Sequence, residues 1–353
     1  MTDASTPPSR NPSPGGSGKP RTRSARDWEL PRPFGWKTLG TLFLVLAFLS
    51  WSGVHVEMDT MVAESSRAAG NLVGLTDESQ VVSGFSKLFR EMFPPTISRS
   101  TPVERLTDFD PDNPPPFSRI ETREYFEVEI DYDTLRQDIT VIREQTLVEP
   151  LGYLGFVLVK MAETLEIGLW GTIVAVLLSI PLAFFSARNY SPHPILYGSA
   201  RGLVSFFRSI PELVSALFFV LAFGFGPVAG ILALGFHCTG FLGKFYAEDI
   251  ENAERGPQEA LFALGASRLK VLRVAVLPQV IPQYIAYTLY ILDRNVRMAT
   301  VIGIVGAGGI GQELKGRWDI FNYSHVATIL IVLFLTVLVL DQLSAKVRAR
   351  LIQ

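Results

Sequence analysis

Glu259–Pro278, EALFALGASRLKVLRVAVLP, decides how the rest of the chain is read. Small residues stand at Ala260, Ala263 and Gly265, followed by three cations at Arg268, Lys270 and Arg273. The stretch lies between two apolar blocks, Pro227–Tyr246 and Pro278–Ala299. Blocks of about twenty apolar residues are long enough to cross a bilayer at roughly 1.5 Å per residue. A polar patch wedged between two of them implies that something soluble must grip it, and its small side chains let another protein approach closely. Pro257 suits the first turn of a short helix, where its missing N–H costs nothing. Gly265 can supply the positive φ that ends one helix and redirects the next. Pro278 is expected to start the following membrane helix and to fix the bend before it.

The chain has 353 residues, of which 48% are apolar and 19% charged, and a net charge of −2. Its mean hydropathy is +0.27. Those averages alone would fit a large soluble domain; the clustering of apolar residues decides the class. Six blocks are long enough to span: Leu39–Val56, Glu163–Ser186, Phe206–Phe223, Pro227–Tyr246, Pro278–Ala299 and Tyr323–Leu340. The expectation is an all-α membrane protein of about six spans with a polar external insertion, and membrane lipid is its solvent. A near-neutral charge gives no field for nucleic acid. Cys238, the single cysteine, excludes an intrachain disulfide and a cysteine-based zinc site.

Residues 1–35, rich in Pro, Ser, Gly and Arg, read as a disordered cytoplasmic tail. Arg21, Arg23, Arg26, Arg32 and Lys37 precede the apolar block Leu39–Val56 of the first transmembrane helix, 36–56, which places the N-terminus inside. Residues 57–160 hold 19 acidic and 10 basic residues, and so belong outside. Within them Asp110–Pro116 is a turn signal, Glu121–Ile130 alternates like a strand, and Tyr132–Glu149 is compatible with a helix. The membrane domain then occupies 161–345, with the segment 247–277 inside and 300–322 outside. Basic residues at Lys346, Arg348 and Arg350 put the C-terminal 346–353 inside.

Asn295–Leu314, NVRMATVIGIVGAGGIGQEL, contains Gly306-x-Gly308-x-x-Gly311, with a further glycine at Gly309. A dinucleotide site would need a strand before this run, a helix after it and an acid about 20 residues on. Membrane helices surround it instead, so the glycines read as close backbone packing or as irregular backbone lining a pathway. Ionisable residues in or beside the spans are Glu166, Glu212, Lys244, Asp293, Arg294 and Arg297. Such charges face a bundle interior, a water path or one another. Asp293 and Arg297, and likewise Arg208 and Glu212, are four residues apart and able to pair on one helix face. Arg297 is alternatively an anion-attracting group in the outer half of a pathway. His237 and Cys238 fit a packed or hydrogen-bonded role better than metal binding. Gly18-Lys19-Pro20 and Gly243-Lys244-Phe245 both lack the Ser/Thr of a phosphate loop, so no nucleotide or other cofactor is expected and no catalytic constellation stands out.

Several of these motifs resemble those of ABC importer permeases. Glu259, Ala260, Gly265, Leu277 and Pro278 fit the family's coupling motif, while Leu261 and Ala275 depart from its second Ala and its Ile. Together with Arg208–Leu213 (RSIPEL), Leu277-Pro-Gln-Val280 and Asn295–Leu314, their order and spacing resemble the phosphonate ABC importer permeases over about 160–350; Met92–Pro95 (MFPP) adds a weaker match. Thr96–Pro150 looks like an insertion relative to shorter members. The resemblance implies a type-I-like importer fold in a bacterial inner membrane, transport of phosphonate or a related phosphorus oxyanion by alternating access, and ATP hydrolysis by a partner. It further implies two ATPase subunits, a second permease copy and a periplasmic substrate-binding protein. The coupling residues would then dock the ATPase. Glu212, Asn295, Arg297, Gly306, Gly308, Gly309 and Gly311 are the candidate pathway or gate residues. A membrane enzyme acting on phosphorylated lipids would need clustered catalytic groups, and a receptor or scaffold would have no use for an ATPase dock.

Overall fold

A computed structural model describes residues 35–74, 79–106, 114–131 and 136–351. The expected tail, Gly35 excepted, and most of the Asp110–Pro116 turn lie outside the described residues. The chain divides into two compact units, Met1–Gly84 and Phe85–Gln353. The first contains α1 (Trp36–His55) and α2 (Met58–Leu72), separated where Glu57 adopts φ 56°. The α1 helix is 20 residues long and apolar enough to cross a membrane, as its block predicts. α3 (Gln80–Met92) straddles the boundary between the units.

The second unit opens with a three-stranded antiparallel sheet in the order β1-β3-β2, built from β1 (Arg99–Pro102), β2 (Arg119–Asp131) and β3 (Arg136–Glu149). The alternation at Glu121–Ile130 therefore marks a strand, as expected. Over the described part of Tyr132–Glu149, the compatible helix is corrected to β3, which pairs with β2 from Arg119↔Val148 to Asp131↔Arg136, while 132–135 lie outside the described residues. Val141, Thr146 and Val148 supply β-branched side chains that favour this pairing.

α4 (Gly152–Ser186) has 35 residues, well beyond the length a bilayer needs, and begins before the expected boundary at 161. The Ile97 carbonyl accepts both the Tyr153 and Leu154 N–H groups at 3.1 Å, which satisfies donors that a helix start leaves open. The block Phe206–Phe223 is not one straight span. α5 (Pro194–Ser209) and α6 (Glu212–Phe223) meet at 91°. Pro211 has no N–H to continue α5, and twelve residues give α6 only about 18 Å, short of a bilayer. Five helices are long and apolar enough to span, or six when this bent pair counts as one. The remaining elements are α7 (Pro227–Asn252), α8 (Arg255–Ala263), α9 (Arg268–Val271), α10 (Leu277–Gly303), α11 (Gly309–Asp319) and α12 (Tyr323–Leu351). α12 runs on past the expected end of its span at Leu340.

α4 packs against α7 at close range because glycines face each other across the contact. A Cβ on Gly235 would lie 2.7 Å from Val174 Cγ1, and one on Gly171 would lie 2.9 Å from Leu234 Cβ. Lipid tails leave little hydrophobic gain for helix association, so close backbone packing of this kind supplies much of the attraction. Cys238, Leu242, Tyr246, Val276 and Ile291 form one buried cluster, and Ile167, Leu234, Ala299 and Ile302 another.

Candidate functional site

The segment around Gly265 forms a helix–turn–helix whose geometry follows from its sequence. α8 ends in a paired capping arrangement: Gly265 N–H donates to the Phe262 carbonyl at 2.9 Å and Ala266 N–H to the Leu261 carbonyl at 3.0 Å. Gly265 has φ +77°, as its residue type predicts, and open space lies where a side chain would be. Glu259, Ala260 and Gly265 are exposed, and Phe262, Leu264 and Leu269 present apolar surface, with Leu264 83% exposed. Pro278 stands in the first turn of α10, as expected, although the helical backbone does not begin there. A wider π turn at Leu272–Val276 links α9 to α10, so helical backbone already runs from Arg268, with Leu277 and Pro278 inside it.

The base of this motif is tied to the membrane helices by residues that spacing alone does not reveal. Gln258 donates to the Ala253 and Glu254 carbonyls at 3.1 and 2.9 Å and accepts from the Tyr190 hydroxyl at 2.9 Å. Burial raises the Tyr190 pKa, which keeps this hydroxyl a donor. Gln279 accepts from Glu254 N–H at 3.0 Å and donates to the Ala275 carbonyl at 2.7 Å. Glu251 receives Arg201 at 3.0 and 3.1 Å and the Arg188 N–H at 2.7 Å. These bonds tie α8 and the end of α7 to the turn after α4, to α5 and to α10.

The candidate pathway residues separate into three groups, with the Arg297 pair apart from them. The first surrounds Glu212, at the start of α6. Arg208 does not pair with it, because the 91° bend carries Glu212 off the α5 face. Glu212 instead pairs with Arg294 of α10 and with His237 of α7, the latter at 3.0 Å. His237 also bonds the Ile210 carbonyl at 2.8 Å, and the Arg294 guanidinium stands 5.2 Å from the Phe241 ring centre. Three helices thus converge on the kink. Asn295 belongs to a second group in the bundle core: it is fully buried, donates to Thr172 at 2.9 Å and accepts from the Cys238 thiol at 3.0 Å. Arg297 is paired with Asp293 at 2.7 Å, as the four-residue spacing allows, and also reaches Asp341 at 3.2 Å.

The third group is the glycine turn between α10 and α11. Gly306, Gly308 and Gly309 all have positive φ, at +96°, +85° and +71°. The Gly309 and Ile310 N–H groups open α11 and donate to Glu163 Oε1 at 3.0 Å and Thr164 Oγ1 at 2.7 Å. A Cβ on Gly303 would lie 2.9 Å from the Gly311 Cα, so α11 folds back hard against α10. Gly226 N–H donates to the Gly306 carbonyl at 3.0 Å, which adds the α6–α7 turn to the same junction. Glu163 and Thr164 were not legible as partners, since the contact joins residues 146 apart. The more conspicuous Glu166 is exposed.

Membrane-length helices cross-braced by buried polar contacts, with a helix–turn–helix exposed at one end, define a multi-pass membrane protein. Residues 179–353 match the family described as binding-protein-dependent transport system inner membrane component. HtxE of Stutzerimonas stutzeri, assigned to a phosphite transport system as a permease, is 55% identical over 261 residues, which cover 74% of this chain and all of HtxE. The phosphite transport system permease protein PtxC of the same organism is 46% identical over 53% of this chain and 68% of its own length. The phosphate-import permease protein PhnE of Mycolicibacterium smegmatis is 42% identical over 54% of this chain and 36% of its own. Among solved structures, inward-facing MetNI methionine ABC transporter is similar at TM-score 0.46 and 24% identity, over 55% of this chain and 94% of that one. The chain belongs to the family of binding-protein-dependent transport inner-membrane components. It is a multi-pass inner-membrane permease subunit of an ABC importer. ATP hydrolysis belongs to a separate ATPase subunit, and a substrate-binding protein is its other partner.

Proposed function

We propose that this permease carries phosphonate or a related phosphorus oxyanion by alternating access. The 55% identity to a permease assigned to phosphite transport, along that protein's whole length, carries the reading. Two copies of the chain form the conduit, and each receives one ATPase subunit at the coupling segment 247–277. Glu259, Ala260 and Gly265 are the contact surface, with Leu277 and Pro278 at the root of α10. The exposed apolar side chains Phe262, Leu264 and Leu269 support a protein-docking role for this surface. The outer half of the pathway is gated at the kink that Glu212 closes and at the glycine turn 306–311, with Asn295 and Arg297 holding α10 between them.

The experiment is to co-express the chain with its ATPase and to compare wild type with Gly265→Asp. The proposal expects a permease dimer carrying two ATPase subunits, and loss of cargo-stimulated ATP hydrolysis in the variant with membrane insertion unchanged. Full stimulation in Gly265→Asp would remove the coupling role.

A further inference from the structure

At the opposite end of α4 from the coupling segment lies a cavity of about 610 Å³. β1 and the turn after it form one side, and the starts of α4 and α12 together with α11 form the other. Three arginines line it: Arg99, Arg105 and Arg317. Hydroxyl groups of Ser98, Ser100 and Thr101 stand among them. We propose that this cavity is a binding site for a tetrahedral phosphorus oxyanion, a –PO3 group.

The charge balance favours an anion. Arg317 is paired with Glu313 at 2.7 Å and lies over the Tyr153 ring, 5.2 Å from its centre. Burial works against the charged form of Arg317, but the Glu313 bond and charge outweigh it, and the pKa is raised. Arg99 stacks 5.9 Å from the Phe156 ring centre. Glu149 is its partner across the strand pair, yet no ion pair joins the two. Arg105 likewise has no ion-pair partner among the described residues. Among the described residues, Glu313 is thus the one carboxylate ion-paired to any of the three arginines that line the cavity. Forked guanidinium donors and hydroxyls are the groups that bind tetrahedral oxyanions best.

The wall carrying Arg99 is held in place. Thr96 N–H donates to the Ser324 carbonyl at 3.1 Å, the Thr96 hydroxyl to Ser324 Oγ at 2.9 Å, and Thr328 Oγ1 to the Thr96 carbonyl at 2.6 Å. With the Ile97 cap on α4, these contacts pin the strand that presents Arg99 and Ser100. α4 carries 35 residues, about 52 Å of helix, between this cavity and the coupling end. The cavity thus faces the side away from the ATPase, where cargo arrives. Its use as a receiving site for cargo rests on the phosphorus-oxyanion reading; the binding itself does not.

The test uses the full chain in phosphatidylcholine nanodiscs with radiolabelled inorganic phosphate, and in parallel nanodiscs containing phosphatidic acid analysed by native mass spectrometry. The site predicts saturable phosphate binding, weakened about tenfold or more in Arg99→Gln/Arg105→Gln, intermediate in Arg99→Lys/Arg105→Lys, and unchanged in Lys346→Gln, at the exposed far end of α12. Retention of phosphatidic acid without phosphate binding, lost in the Gln double variant, keeps the –PO3 chemistry and assigns it to a lipid headgroup. Binding of neither probe, equal binding by the Gln double variant, or equal displacement by acetate overturns the site. Because this readout needs no ATPase, its failure leaves the permease reading standing, and failure of uptake by the assembled system leaves the binding result standing.

Discussion

Gly309→Ala should destabilise the membrane domain far more than its one added methyl suggests. Gly309 has φ +71°, a conformation that costs a residue with a Cβ about 1 kcal/mol or more. The new Cβ would lie 2.5 Å from Thr164 Oγ1 and 3.3 Å from its Cα. Thr164 sits on a buried turn of α4 and its hydroxyl caps the Ile310 N–H, so it cannot retreat without losing that bond. A buried donor left unpaired costs about 1–3 kcal/mol. The combined loss is about 2–4 kcal/mol, which for a domain of this size lowers the thermal midpoint by roughly 5–15 °C. Gly316→Ala is the control: it lies in α11 with open space at its Cβ and gains about 0.8–1 kcal/mol of helix propensity. Both variants are melted in the same detergent at one scan rate, since membrane-protein unfolding is commonly irreversible. Equal midpoints for the two variants would refute the argument that the glycine turn is sterically locked onto α4.

Three further outcomes follow from the same contacts. Gly265→Val faces open space, so only its φ of +77° opposes it; a loss of about 1–2 kcal/mol in melting is expected together with a large drop in uptake, whereas unchanged uptake would detach this turn from coupling. Glu212→Gln leaves Arg294 without its carboxylate at the α5–α6 kink and is expected to cost about 2 kcal/mol or more, read as a lower midpoint, with partial recovery in Glu212→Gln/Arg294→Met; no recovery would mean that Arg294 acts beyond the pair. Arg297→Gln and Asp293→Asn should each reduce transport, and the double change distinguishes their roles: full recovery makes the pair structural, and continued loss assigns Arg297 to the pathway.

Much of this architecture is legible in the sequence because membrane spans and helix ends have strong local causes. Block length gave the spans, and Gly265 gave the turn after α8, because only a residue without a Cβ takes that φ easily. Two local readings went astray where longer-range structure decides. Tyr132–Glu149 carries enough charge to look like a helix face, but pairing with β2 makes its described part, Arg136–Glu149, a strand. Phe206–Phe223 has the apolarity of a span, but Pro211 breaks it, and the break is stabilised by His237 and Arg294 from other helices. The partners of the glycine turn were hidden for the same reason: Glu163 and Thr164 meet it only once α4 and α11 have packed. The ionisable residues were visible as unusual, yet which acid meets which base depends on the bundle.

The central claim is tested most directly in proteoliposomes containing this chain, its ATPase and its substrate-binding protein. ATP-dependent accumulation of labelled phosphite is measured, with methylphosphonate, phosphate and methionine as competitors. The account predicts accumulation that requires ATP and the binding protein, competition by the phosphorus oxyanions and none by methionine, and loss of accumulation in Gly265→Asp. Accumulation that proceeds without ATP, or a fully assembled system that moves none of the phosphorus oxyanions, would contradict it.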